Sequence, residues 1–110
     1  MTDGSGTNLE ALLQTAQRLQ QDLERVQSEL EHKIVEGSAG GGMVVVRVNG
    51  RQQVTGVHID REVVDPEDIS MLEDLVLAAT NQALAKAAEM AQQEMARVAG
   101  PLGAGLSHLF

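Results

Sequence analysis

The chain is predicted to be an α+β protein: one long helix, a small antiparallel β-meander of two or three strands, then a second long helix. Three observations predict that order. An apolar seam steps by threes and fours from Leu9 to Leu30. The period falls to two between residues 34 and 60, around Asn49-Gly50. A run rich in Ala, Leu, Glu and Gln then follows Asp65-Pro66-Glu67-Asp68 and stops before Gly100-Pro101.

In the first helix the seam is Leu9, Leu12, Ala16, Leu19, Leu23, Val26, Leu30 and Lys33, apolar at all but the last. A strict 3.5-residue period is narrower than an ordinary core stripe and predicts that the seam faces another long helix. Asn8 is the expected N-cap, behind a Gly/Ser/Thr/Asp leader over residues 1–7 that is expected to be disordered. No Gly or Pro interrupts the helix before Gly37.

Asn49-Gly50 predicts a hairpin on a type I′ turn, which needs positive φ at both central residues. That turn would set Val48 opposite Arg51, Val46 opposite Gln53 and Val44 opposite Thr55. One face would then hold Val44, Val46, Val48, Thr55, Val57 and Ile59, a clean core face. The other would hold Met43, Val45, Arg47, Gln52, Val54, Gly56 and His58. Met43, Val45 and Val54 make that second face half apolar, which predicts cover by a second subunit. Lys33 to Glu36 reads either as the last helical turn or as a first strand. A strand after a break near residues 31–33 is favoured, and Gly40-Gly41-Gly42 reads as the turn or hinge behind it.

For the second helix Asp65 is the expected cap and Pro66 the first helical residue, with Glu67 and Asp68 at the positive end of the dipole. Ile69, Leu72, Val76, Ala79, Ala83 and Met90 form its stripe, widened by Leu75 and Leu84. The helix is expected to reach about Val98. Its alanines, among them Ala78 and Ala87, allow close approach of another element. Two helices of roughly 25–33 residues measure ~37–50 Å, more than so small a sheet covers, so they pack together, project, or find a partner chain. The expected layout is a single domain over 8–99 with a Gly-rich tail over 100–110.

At 110 residues the chain is one domain. Hydrophobic residues make up 43% of it but aromatics only 1%, so the core is aliphatic and a lone monomer would be marginal. A homo-oligomer is expected. The absence of Cys excludes disulfides, thiolate zinc sites and Cys nucleophiles. No apolar stretch approaches the ~18 residues of a membrane span, and the polar N-terminus lacks the basic start of a signal peptide. A cytoplasmic protein is expected. The net charge of −8 opposes strong nucleic-acid binding unless basic side chains gather locally.

Catalytic patterns are not found. His32, His58 and His108 lack metal spacing, and the serines lack a nucleophile elbow. Gly40-Gly41-Gly42 precedes neither Lys-Ser/Thr nor a helix, so it is no phosphate loop. Glu67-Asp68 and Glu73-Asp74 sit on one helix and point apart. No enzyme activity, metal, cofactor, small-molecule substrate or membrane partner is expected. Arg18, Arg25 and His32 form a stripe beside Asp22, Glu29 and Glu36, a spacing that makes weak ion pairs along a helix. Arg47 and Arg51 cluster at the hairpin end with Arg61 beyond, and Lys86 and Arg97 lie on the second helix.

The ordered set of these segments resembles the YbaB/EbfC family of nucleoid-associated proteins. Val35-Glu36-Gly37-Ser38-Ala39-Gly40-Gly41-Gly42, the Val44 to Gly50 run and Val57-His58-Ile59-Asp60 carry the likeness. So do Met71-Leu72-Glu73-Asp74-Leu75-Val76, Ala78-Ala79 and Asn81. The resemblance spans about residues 9 to 99. It implies a homodimer of α-β-α subunits, intertwined or packed, with helices projecting like tweezers. It further implies duplex DNA binding with little sequence specificity in the nucleoid, a role in nucleoid organisation or gene expression, and no catalysis. Family members commonly carry more Lys in the first helix, where this chain has Gln14, Gln17, Gln20, Gln21 and Gln27. The candidate DNA contacts are Arg18, Arg25, Arg47, Arg51, Lys86 and Arg97. The candidate dimer contacts are Leu19, Leu23, Val26, Leu30, Met43, Val45 and Val54. The alternative reading is a structural or protein-interaction dimer, or a chaperone-like clamp, with little DNA affinity.

Overall fold

Two 30-residue helices, Thr2–Glu31 (α1) and Ile69–Val98 (α2), flank strands Ile34–Ala39 (β1), Val44–Asn49 (β2) and Val54–Ile59 (β3). These come from a computed structural model that describes the backbone of residues 2–98 and the side chains of residues 8–98. The expected Gly-rich tail and its Gly100-Pro101 stop lie outside the described residues. The strands form one antiparallel meander in the order β1-β2-β3, so the favoured third strand is present. A short 3₁₀ turn, Arg61–Val63, leads out of the sheet and buries Val63.

The core is aliphatic and thin. Val44, Val46 and Val48 of β2 are fully buried beneath Ala79, Ala83 and Ala87 of α2. Only small side chains allow a helix to lie this close to a sheet, and Gly37 of β1 extends the principle. A Cβ there would collide with the backbone of Ala79 and Ala83. Leu72, Leu75, Val76 and Leu84 pack around this contact. The helix covers β1 and β2 but leaves the same side of β3 open, with Val54, Val57 and Ile59 37–53% exposed.

The hairpin differs from its sequence reading. Among the described residues, positive φ at a non-glycine occurs only at Gln52 (φ 61°), and Gly50 is not in that region, so the turn is not type I′. Asn49 N–H donates to Gln53 O (2.9 Å) and Gln52 N–H to Asn49 O (3.0 Å), which closes a three-residue loop ending in a left-handed residue. Asn49 is buried, and its Oδ1 accepts from Arg51 N–H (2.9 Å) and Gln53 N–H (3.1 Å). Asn-Gly is therefore needed here for a side-chain-capped turn. The longer loop and a bulge beyond it together set Val44 opposite Ile59 and Val46 opposite Val57. This displaces the expected pairing by an even number of residues, so Val57 and Ile59 keep their expected face. Nearer the loop Val48 lies opposite Val54, a displacement of three, and the bulge at Arg47/Val48 leaves Thr55 as the extra residue. Val54 thus joins the helix-facing side, where Thr55 was expected.

Gly50 has a second task. Its N–H donates to Leu30 O (2.8 Å) and Lys33 O (3.0 Å), capping the end of α1 with the hairpin tip. A Cβ at Gly50 would lie 2.7 Å from Leu30 Cδ2 and 2.8 Å from Leu30 O. Gly50→Ala is expected to cost about 1–3 kcal/mol by overpacking, read as a lower urea midpoint. A midpoint unchanged from the parent would show that the cap and helix end move apart freely.

The caps differ as well. Asn8 lies inside α1, which starts at Thr2. Asp65 and Pro66 form a turn, in which Asp65 Oδ1 accepts from Glu67 N–H (2.9 Å). The cap of α2 is Asp68, whose Oδ1 accepts from Met71 N–H (3.3 Å) three residues on. Two acidic residues compete for one role, and the nearer one wins because Pro66 holds Asp65 in its own turn.

Candidate nucleic-acid interface

The six basic side chains expected to contact DNA fall into three places. Arg18 and Arg25 lie exposed on α1, with Arg25 between Asp22 (3.5 Å) and Glu29 (3.8 Å) as its spacing predicts. Glu36 does not continue that acidic row. It stands on β1, where its carboxylate takes Arg47 Nε (3.0 Å) and its backbone oxygen takes Lys86 Nζ (3.0 Å). Arg47 and Lys86 are thereby drawn together at the outer edge of the sheet. Arg51 reaches Glu31 at 3.9 Å beside the hairpin tip, and Arg97 reaches Glu94 at 3.3 Å near the end of α2.

Lys33 was read as the end of the apolar seam. The structure instead places it past the helix, with Nζ 2.9 Å from Glu94 Oε1. Its polarity at an apolar position was the signal of a different role. Lys33 and Arg97 converge on Glu94, so this corner pins the link between α1 and β1 to α2 while keeping cations at the surface. The Lys33 hydrogen bond holds the Glu94 carboxyl below its ordinary value; partial desolvation opposes this, and the charges of Arg97 and Lys33 add to it. A lowered carboxylate pKa in the fold stabilises it above the ordinary carboxylate range. That contribution is lost as pH falls through the folded value. Glu94→Gln is expected to flatten the acid limb of the stability–pH profile, measured by urea unfolding between pH 3 and 6. An unchanged acid limb would show that the pair contributes nothing.

These ion pairs are exposed. The side chains of Arg25, Arg47, Arg51 and Arg97 are 49–74% accessible. Surface pairs of this kind are worth little and open readily, so the guanidinium groups are available to a polyanion. The charge is also polarised along the chain. Residues 60–74 hold seven acids and one base. They occupy the end of the sheet from which α2 starts, while Lys33, Arg51 and Arg97 mark the opposite end, where α1 ends.

Gln82 and Lys86 of α2 also close the outer edge of β1. Ser38 N–H donates to Gln82 Oε1 (2.7 Å), and Glu36 O accepts from Lys86. The opposite side of the sheet is open. Ile59, Leu72, Val76, Leu77 and Thr80 line an apolar groove of about 460 Å³ between β3 and α2, with Glu73 at its margin.

The expected dimer contacts are dispersed. Val26 and Leu30 are buried within the chain, Leu19 and Leu23 are half-buried, and Met43 packs against the core. Val45 lies on the outer face of the sheet with Arg47 and His58; Val54 belongs to the face that carries the groove. Sequence reasoning took the face of Val57 and Ile59 as core and assigned Ile59, Val76 and Leu77 no interface role, because nothing local shows that α2 covers β1 and β2 and leaves β3 open.

Residues 5–102 match the sequence model of the YbaB/EbfC DNA-binding family. A nucleoid-associated protein of Acetivibrio thermocellus is 50% identical over 107 residues, 97% of this chain and 94% of that protein. One of Syntrophobacter fumaroxidans is 58% identical over 90 residues, 82% of each chain. The crystal structure of an uncharacterized Helicobacter pylori protein, HP0035, superposes with a TM-score of 0.68 at 21% identity. It covers 74% of this chain and 86% of that one, and it shares the fold.

Proposed function

Because the chain belongs to the YbaB/EbfC DNA-binding family, we propose that it binds duplex DNA as a homodimer, with little sequence specificity, in the bacterial nucleoid. There it acts on nucleoid organisation or gene expression. The family is one of DNA-binding proteins rather than of enzymes, and the reading assigns the chain no catalytic step.

One observation carries the DNA reading beyond the family match. The basic side chains are exposed, weakly paired and spread over α1, the sheet edge and the hairpin tip. Such cations bind phosphate. Phosphate contacts position a protein on DNA without reading its sequence. The acidic stretch over residues 60–74 repels DNA from the far end, which leaves the α1 and hairpin-tip end for the duplex. The open groove supports the second copy. One helix covers β1 and β2, and the strip beside it, floored by β3, is apolar and exposed. The α2 of a second subunit, symmetrically placed, would cover it.

The test is fluorescence anisotropy of a labelled duplex with Arg18→Glu/Arg25→Glu and, separately, Arg47→Glu/Arg51→Glu. Each substitution that removes a phosphate contact should weaken binding uniformly across sequences and lower the salt slope by about 1. Unchanged binding in both variants would remove the proposed surface. A protein-interaction dimer is the second reading, favoured by Leu9, Leu12 and Leu13, which are 56–67% exposed on α1. It predicts no retention of DNA by the parent protein.

A further inference from the structure

Asn49-Gly50 is a chemically reactive pair as well as a turn. An asparagine side chain is open to attack by the backbone nitrogen of the next residue, and glycine, with no Cβ, leaves that approach clear. Asn8 and Asn81 precede Leu9 and Gln82, whose side chains crowd it. The structure treats the two partners of this reaction differently. Asn49 is 3% exposed, and its Oδ1 accepts from the N–H groups of Arg51 (2.9 Å) and Gln53 (3.1 Å), while its Nδ2 donates to Gln53 Oε1 (2.8 Å). Two donors on one carbonyl oxygen polarise its carbon, as an oxyanion hole does. The restrained partner is the nucleophile. Gly50 N–H donates to Leu30 O (2.8 Å) and Lys33 O (3.0 Å), and the Leu30 side chain stands against Gly50.

We propose that Asn49 is a self-modification site, latent in the closed fold, that converts to aspartate or isoaspartate when the hairpin tip leaves the end of α1. Gly50 N gives its proton to hydroxide and bonds to Asn49 Cγ. The Cγ–Nδ2 bond breaks, and Nδ2 takes a proton from water and leaves as ammonia. Water then opens the cyclic imide. Opening at Cγ leaves aspartate; opening at the Asn49 main-chain carbonyl leaves isoaspartate, whose backbone runs through Cβ and Cγ. One water is consumed and one ammonia released, with no oxidant or reductant. Neither product restores the cap. Aspartate puts a charge on a side chain that is 3% exposed, which costs stability. Isoaspartate lengthens the backbone between the Asn49 ladder position and Gly50 N–H, which carries that N–H away from Leu30 O and Lys33 O. The Gly50 cap ties α1 to the sheet, so conversion loosens α1 in one direction only.

The test incubates the full chain in mildly alkaline buffer, with and without denaturing urea, and follows conversion at Asn49 by peptide mapping. Reaction only through a locally opened tip predicts conversion at least about tenfold slower in the folded chain than in the unfolded one. Leu30→Ala removes the side chain that stands against Gly50 and should raise the folded-state rate several-fold. Leu30→Val, a smaller loss, gives the same reading if Leu30→Ala does not fold. Val63→Ala is the control: it empties a buried position at the opposite end of the sheet and should leave the rate near that of the parent. Converted chains should unfold at lower urea than unconverted ones. Equal rates in the folded and unfolded parent would overturn the proposal. So would equal acceleration by the Leu30 and Val63 variants, or conversion with no loss of midpoint.

Discussion

Gly37→Ala is expected to unfold the protein or to lower its stability by about 3 kcal/mol or more. The added methyl meets the backbone of Ala79 and Ala83, not a flexible side chain that could turn aside. Relief requires α2 to lift from β1, which opens the contact that buries Val44, Val46 and Val48. Gly41→Ala is the control. It has φ +66° and nothing within 4 Å of a Cβ, so it carries only the left-handed backbone cost of about 1–2 kcal/mol. Urea unfolding of the two variants separates packing from turn geometry. Equal losses would contradict the flush contact.

Val57→Glu together with Leu77→Glu is expected to convert the proposed dimer into a folded monomer. Both residues are more than half exposed in the single chain, so the charges cost little there. Once a second copy closes the groove they become buried and unpaired, which costs several kcal/mol each. Val45→Glu, on the outer face, should leave the dimer intact. Sedimentation velocity decides between these outcomes. A dimer that survives the groove substitutions and dissociates with Val45→Glu would return the interface to the outer face of the sheet.

Much of the fold was legible because periodicity survives local errors. Val57 and Ile59 keep their face although the hairpin register moved, since the displacement was even. Val54 changes face because the longer loop displaces it by three residues, an odd number; the bulge at Thr55 makes the displacement four for Val57 and Ile59, and no local pattern announces a bulge. Asn49-Gly50 marks the hairpin correctly but for another reason. The Asn49 side chain holds the loop, and Gly50 must be small because Leu30 stands against it. Asp65-Pro66 similarly signals a helix start three residues early, since Asp68 caps the helix as well or better. The long seam was legible as a seam. Its division into a buried half at Val26 and Leu30 and an exposed half at Leu9 and Leu12 depends on where α2 ends relative to α1, which is tertiary information.

For the interface, the identities of the basic residues were legible but not their grouping. Arg25 pairs as i,i+3 and i,i+4 spacing dictates. The meeting of Arg47 and Lys86 at Glu36 joins residues 50 apart in sequence, and the corner of Lys33, Glu94 and Arg97 joins residues 61 apart. Such contacts follow only from β1 running antiparallel to α2.

The central claim is that exposed cations on a dimer of net negative charge hold duplex DNA by its phosphates. Retention of two duplexes of unrelated sequence across a salt series tests it most directly. The account predicts equal affinity for both, ~10⁻⁴ to 10⁻⁶ M near physiological salt, and a log–log slope of about −3 to −5 for roughly 3–6 neutralised phosphates. Failure to retain either duplex at the lowest salt, or an affinity that does not change with salt, would contradict it.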